Sequence, residues 1–142
     1  MSVRYQITFY GYPDNDPPNS DEIAFPRSDG HKTLHNRAAG TGNWKDPITF
    51  AAGEPFRTRH PVGTRIYVPY LEKYFILEDS CASCSSSTWV DLWIGGKGHP
   101  KKAVLEQEEY LTRLSSDGGE EVIPHPARDL PVDPTPLMEV QL

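Results

Sequence analysis

One stretch of this chain constrains its core more than any other. From Pro61 to Gly96 it reads PVGTRIYVPYLEKYFILEDSC, then a short Cys/Ser-rich loop, then VDLWIGG. Apolar runs of this length, rich in β-branched and aromatic residues and bounded by turn formers, are the pattern of buried strands. The core is therefore expected to be built from strands. Two aspartates, Asp79 and Asp91, stand at or in these apolar runs, where β-propensity alone would not put them. A carboxylate in such a place costs free energy unless it is hydrogen-bonded, paired or used, so the two are the first candidates for chemistry.

The 142 residues suffice for one domain, because a chain of this size buries roughly two thirds of its unfolded surface. With 11 glycines and 14 prolines punctuating it, the sequence reads as loop-rich and mainly β. No window reaches the ~18 apolar residues of a membrane span, so no membrane partner is expected. A formal charge of −6 argues against a nucleic-acid partner, whose binding is driven by clustered Lys and Arg. A neutral or cationic partner fits better. The opening MSVRYQITFYG is too polar and too regular for a signal peptide, so either the protein stays inside the cell or a leader was trimmed. The two cysteines, Cys81 and Cys84, are too few for a zinc site and lead into serines rather than a redox-motif helix. A local disulfide is the leading reading, ahead of free thiols and of metal or redox work. It would place the protein outside the cytosol.

Along the chain, Val3 to Phe9 alternates as a first strand, and a long polar excursion runs from Asp14 to Trp44. Such a loop is functional or is held by short undetected strands. Further strands are expected at Ile48 to Ala52, Arg65 to Pro69, Tyr74 to Glu78 and Trp89 to Ile94, with a sixth at Glu121 to Ile123. Pro100 begins a helix over about 101–114, the last expected element of its kind. The proline-rich segment 124–142 should wrap the barrel, with Leu137, Met138 and Val140 as a final edge strand. Residues 1–142 thus read as one domain, with the barrel over about 3–96.

These segments in this order resemble the double-psi β-barrel superfamily: expansins, barwin-like and RlpA-like proteins, and the three-aspartate domain of lytic transglycosylases. PVGT, EDSC and VDLW correspond to the Pro-Leu/Phe-Gly-Thr, Asp-Thr-Gly-Gly and Ile-Asp-Leu segments of the three-aspartate domain, and Asp79 and Asp91 lie twelve residues apart. The resemblance covers about Tyr5 to Gly96 and implies a six-stranded double-psi β-barrel with long loops and one C-terminal helix. The family's first aspartate falls at Glu54-Pro55 or at Asp46-Pro47. Asp79 is followed by Ser80-Cys81 instead of Thr-Gly-Gly, which changes the loop beside it.

A carboxylate pair splits a glycosidic bond when one member stays protonated to protonate the leaving oxygen and the other stabilises the developing charge. Asp91, between Val90 and Leu92, is the better acid, and by the resemblance it is the principal one. Asp79, with Glu54 or Asp46, would support it. Tyr10, Tyr12, Trp89 and Trp93 are the candidates for stacking on sugar rings, with the two tryptophans sharing the face of Asp91 on a regular strand. The bland alternatives are aspartates that bind turn amides and aromatics that fill the core. His31 and His35 would meet only on a helix, so neither a metal nor another cofactor is expected.

The expected function is that of a secreted, monomeric protein acting on cell-wall polysaccharide or peptidoglycan, by lytic transglycosylase or endoglucanase-like acid catalysis. The alternative is a non-catalytic double-psi module, an expansin-like carbohydrate binder or an inhibitor of a target cysteine protease. An intracellular chaperone-type or aminotransferase-like barrel fits the Cys-x-x-Cys loop less well.

Overall fold

The computed structural model describes residues 3–141, so Met1, Ser2 and Leu142 of the expected domain lie outside the described residues. Seven strands form one mixed sheet: β1 (Arg4–Tyr10), β2 (Ile48–Ala52), β3 (Arg65–Val68), β4 (Lys73–Ser80), β5 (Trp89–Trp93), β6 (Glu120–Glu121) and β7 (Ile123–Pro124). Two helices accompany them, α1 (Glu54–Arg59) and α2 (Lys101–Arg113). The first five strands arise where apolar residues alternate or run together, and their inward faces make the core. Phe50, Ile66, Phe75, Leu77, Val90 and Leu92 are fully buried there.

The strand order is β6-β1-β5-β2-β4-β3-β7. β1 pairs with β5 and β2 with β4 in parallel, while β5 meets β2 and β4 meets β3 antiparallel. The two terminal strands are neighbours in sequence, separated by Val122 alone. β6 pairs with the edge of β1 and β7 with the edge of β3, so one short segment brings both ends of the sheet together. The result is a nearly closed mixed barrel of seven strands.

This corrects the expected mainly β architecture of six strands and one helix; the fold is mixed α/β. The missed helix is α1. It starts on Glu54-Pro55, where proline's fixed φ suits a first helical turn. It is stabilised by burying Phe56 edge-on against Tyr5 and Phe50. The strand expected at Glu121 to Ile123 is split at buried Val122 into β6 and β7. The edge strand expected at Leu137, Met138 and Val140 is a 3-10 turn over Leu137–Glu139. There the Gln107 side chain of α2 donates to the Leu137 and Val140 carbonyls, occupying acceptors that a sheet ladder would need.

The long excursion contains no strand; within 15–47 its regular structure is a 3-10 turn at Arg27–Asp29. It is held to β4 by polar bonds instead. Phe25 N–H donates to the Glu78 carbonyl, and Leu34 and His35 N–H donate to the Glu78 carboxylate.

Candidate functional site

Sheet register brings the two aspartates level with each other. On β2, Ala51 pairs with Asp91 of β5 on one side and with Asp79 of β4 on the other. Thr8 of β1 extends the row, opposite Asp91. In-register residues on neighbouring strands face the same side, and two strand spacings set the aspartate backbones about 10 Å apart. The small Ala51 side chain between them leaves open space. A bulge between β2 and β4 makes this alignment: Phe50 pairs with Leu77 and Ala51 with Asp79, so Glu78 is the extra residue. Without it, Asp79 would be out of step with Ala51.

Asp79, Ala51 and Asp91 line one cavity of about 420 Å³. Its rim comes from the start of the excursion, with Asp14, Asp16 and Glu22, and from the disulfide loop at Ser80 to Ser83. Cys81 and Cys84 are disulfide-bonded, as the Cys-x-x-Cys spacing suggested. The loop is tied to β2 by Cys81 N–H donating to the Ala52 carbonyl at 3.1 Å.

The two acids are held differently. Asp79 accepts three hydrogen bonds, from the Tyr10 hydroxyl at 2.8 Å and from the Ala24 and Ser80 N–H groups at 2.9 Å each. Burial holds its carboxyl above the usual carboxylate range, with the Asp16 charge adding to the rise, while these three donors oppose it by favouring the charged form. Asp91 accepts from the Thr8 hydroxyl at 3.0 Å. Burial raises its pKa to about 7, the Thr8 bond opposes this, and the charges of Asp14 and Asp79 add to the rise. Asp91 is thus the proton-bearing member of the pair near neutral pH.

A third acid lies behind the wall. Glu108 of α2 is buried, and one of its carboxyl oxygens receives no hydrogen bond from any N–H or O–H donor. Burial first, and then its closeness to the Asp14 carboxyl, raise it to about 9, so it keeps its proton at neutral pH. Asp14 is fixed on its other side by the Gly11 N–H at 2.9 Å.

Of the other expected site residues, Tyr10 lines the cavity, and Trp89 lies beside Asp91's partner, its indole N–H donating to the Thr8 hydroxyl at 3.0 Å. Trp93 is 6% exposed and packs edge-on against Tyr10, so it is core rather than an open platform. Tyr12 is half-buried outside the cavity wall, with the Lys97 ammonium over its ring. Glu54 is exposed at the start of α1, and Asp46 is bonded to His35 at 2.8 Å. Neither Glu54 nor Asp46 lines the cavity. Sequence reasoning missed Thr8, Ala51 and Glu108, whose roles arise from register and from α2 packing. Asp14 and Asp16 were visible as an acidic start to the long loop. Among the described residues, no group of three or more His, Cys, Asp or Glu side chains is arranged to hold a metal ion. No helix among them is long and apolar enough to cross a membrane.

Fold and site together define a nearly closed mixed barrel that presents two differently tuned aspartates in a polar cavity. The chain belongs to the DDB_G0273701 N-terminal domain family, whose model matches residues 2–141. It is also 40% identical over 100 residues to an uncharacterized protein of Dictyostelium discoideum. That match covers 66% of this chain and 40% of the relative, so the chain corresponds to well under half of that protein. No solved structure matches the chain.

Proposed function

We propose that the protein is a secreted glycan-active enzyme that cleaves a glycosidic bond of a cell-wall polysaccharide or peptidoglycan, with Asp91 as general acid. The observation that carries this reading is the contrast across Ala51: Asp91 holds a proton to about pH 7, while Asp79 is wired to three donors that favour its charge. In such a site Asp91 protonates the leaving oxygen and Asp79 stabilises the positive charge that develops on the sugar ring. In the lytic transglycosylase form, a hydroxyl of the same sugar then bonds to the anomeric carbon in place of water and gives its proton to the Asp91 carboxylate, which restores the acid. Glu54 and Asp46 have no part in this mechanism; Asp14 takes the supporting role. The barrel is read as double-psi, because its two parallel pairs, β1 with β5 and β2 with β4, are joined by an antiparallel contact between β5 and β2. The disulfide favours an extracellular setting.

The test is mass spectrometry of soluble products after incubation with bacterial sacculi and with amorphous cellulose. Asp91→Asn keeps an oxygen for the Thr8 bond and so should stay folded, while product formation falls by about 10²–10⁴-fold. Wild-type turnover should decline as pH rises through about 7, because the acid must be protonated to act. Anhydro-sugar products name the transglycosylase, and reducing ends the hydrolase.

One observation favours a second reading, a non-catalytic protein-binding module such as a protease inhibitor. Tyr10 is the one aromatic residue lining the cavity among the described residues, and its hydroxyl is committed to Asp79. Absence of products from folded wild-type protein on both substrates would select that reading.

A further inference from the structure

A second polar site stands apart from the acid cavity, at the junction of the long excursion, the start of β3 and the tail. Here a cavity of about 400 Å³ is lined by Lys32, Trp44, Arg65 and His125. Two guanidinium groups lie over the Trp44 ring, Arg65 at 4.4 Å and Arg128 at 5.2 Å from its centroid. Arg65 Nε–H donates to the Trp44 carbonyl at 3.1 Å, which fixes the side chain and leaves its terminal nitrogens uncommitted. His125 N–H donates to the Arg65 carbonyl at 3.1 Å, and His125 itself has φ +50.

The charge balance here is unusual. The chain has 20 acidic against 14 basic residues. Yet among the described residues none of Lys32, Arg65 and Arg128 forms an ion pair with a carboxylate. Burial and then the Arg128 charge push the Arg65 guanidinium downward, and the Glu78 charge opposes them. Arginine's planar fork is matched to carboxylate and phosphate oxygens, and the indole and its carbonyl hold that of Arg65 at the cavity, while Arg128 stacks on the same indole outside the cavity lining.

We propose that Arg65, braced on Trp44 and flanked in the cavity by Lys32 and His125, forms a binding site for a single oxyanionic group, a carboxylate or a phosphate, with Arg128 reaching it from the same indole. Set apart from the acidic cavity at Asp79 and Asp91, this site would hold an anionic substituent of a partner polymer away from those carboxylates. The proposal rests on the cluster itself and not on the glycosidase reading.

The test is two-dimensional NMR of the full chain, following the Trp44 indole N–H and the arginine Nε–H signals during titration with inorganic phosphate and, separately, with sodium glucuronate. Saturable, one-site shifts of the Trp44 and Arg65 signals are expected with at least one of the two, weakening as sodium chloride is added. Arg128 is exposed, so Arg128→Gln should fold normally and bind about tenfold or more weakly, the loss of one charge-assisted contact. Lys101→Gln, at an exposed position on α2, should leave binding unchanged. Saturation by phosphate alone assigns the site to a phosphorylated ligand, and saturation by glucuronate alone to a carboxylated one. No saturation with either anion, or equal affinity in wild type and Arg128→Gln, overturns the proposal.

Discussion

Glu78 and Asp79 are adjacent in sequence and do opposite things. Asp79 faces the cavity, whereas Glu78 is completely buried and satisfied by His35 Nδ1 at 2.6 Å, the Thr49 hydroxyl at 2.7 Å and two backbone N–H groups. His35 in turn reaches Asp46 through Nε2. The hydrogen bond to Glu78 raises the His35 pKa most, burial opposes it, and the bond to Asp46 adds to the rise. The sign follows: the folded state keeps the imidazole proton to higher pH than the unfolded chain. This stabilisation is complete below about pH 6.5, the unfolded value, and is lost as pH rises through the folded pKa. Urea denaturation should therefore give wild type a steeper loss of stability above about pH 6.5 than His35→Gln. The variant should be less stable by about 3 kcal/mol at acidic pH, because a buried carboxylate loses its charged partner. Parallel pH curves for the two proteins would refute this account. Asp79 and Asp91 were legible in the sequence because a charge in an apolar run is conspicuous. Glu78 was equally conspicuous, but its partner lies in the polar excursion, where no local pattern marks His35.

At the level of elements, periodicity located the first five strands and α2 to within a residue or two, since each has enough residues for a pattern. It had no purchase on α1, six residues long, and it placed one strand at Glu121 to Ile123 without resolving it into β6 and β7, two residues each. Glu54-Pro55 was read as a carboxylate motif when it is a helix start, which is why Glu54 ends up on the surface. The junction of β2 and α1 also carries a sharp steric constraint. A Cβ on Gly53 would sit 1.9 Å from the Cys84 carbonyl oxygen, so the disulfide loop closes directly on this glycine. Gly53→Ala should displace that loop and cost about 1–3 kcal/mol in chemical denaturation. A variant within about 0.5 kcal/mol of wild type would mean that the loop yields freely.

At the scale of the molecule, the proline-rich tail is a structural member of the barrel. It is held through backbone carbonyls rather than as a strand. Tyr67 donates to the Pro131 carbonyl at 2.6 Å, Lys73 donates to the Asp133 carbonyl, and Tyr74 donates to the Ala127 carbonyl while accepting from Leu130 N–H at 3.0 Å. These three donors lie on β3 and β4, so the tail clasps that side of the barrel. Tyr74→Phe removes two of these bonds at once and should cost about 1–3 kcal/mol. Hydrogen exchange at the Leu130 amide should speed up in the variant, and an unchanged rate would show that the tail is held elsewhere.

The segment that joins β6, Val122 and β7 has a consequence for how the chain is made. Ribosomes deliver residues in order, so β1 to β5 and α2 emerge while the outer edges of β1 and β3 still lack their partners. Open strand edges invite pairing with other chains. Until residues 120–124 appear, the nascent protein is a sheet with two exposed seams, and a transcript or protease that stops short of them leaves a product primed to aggregate.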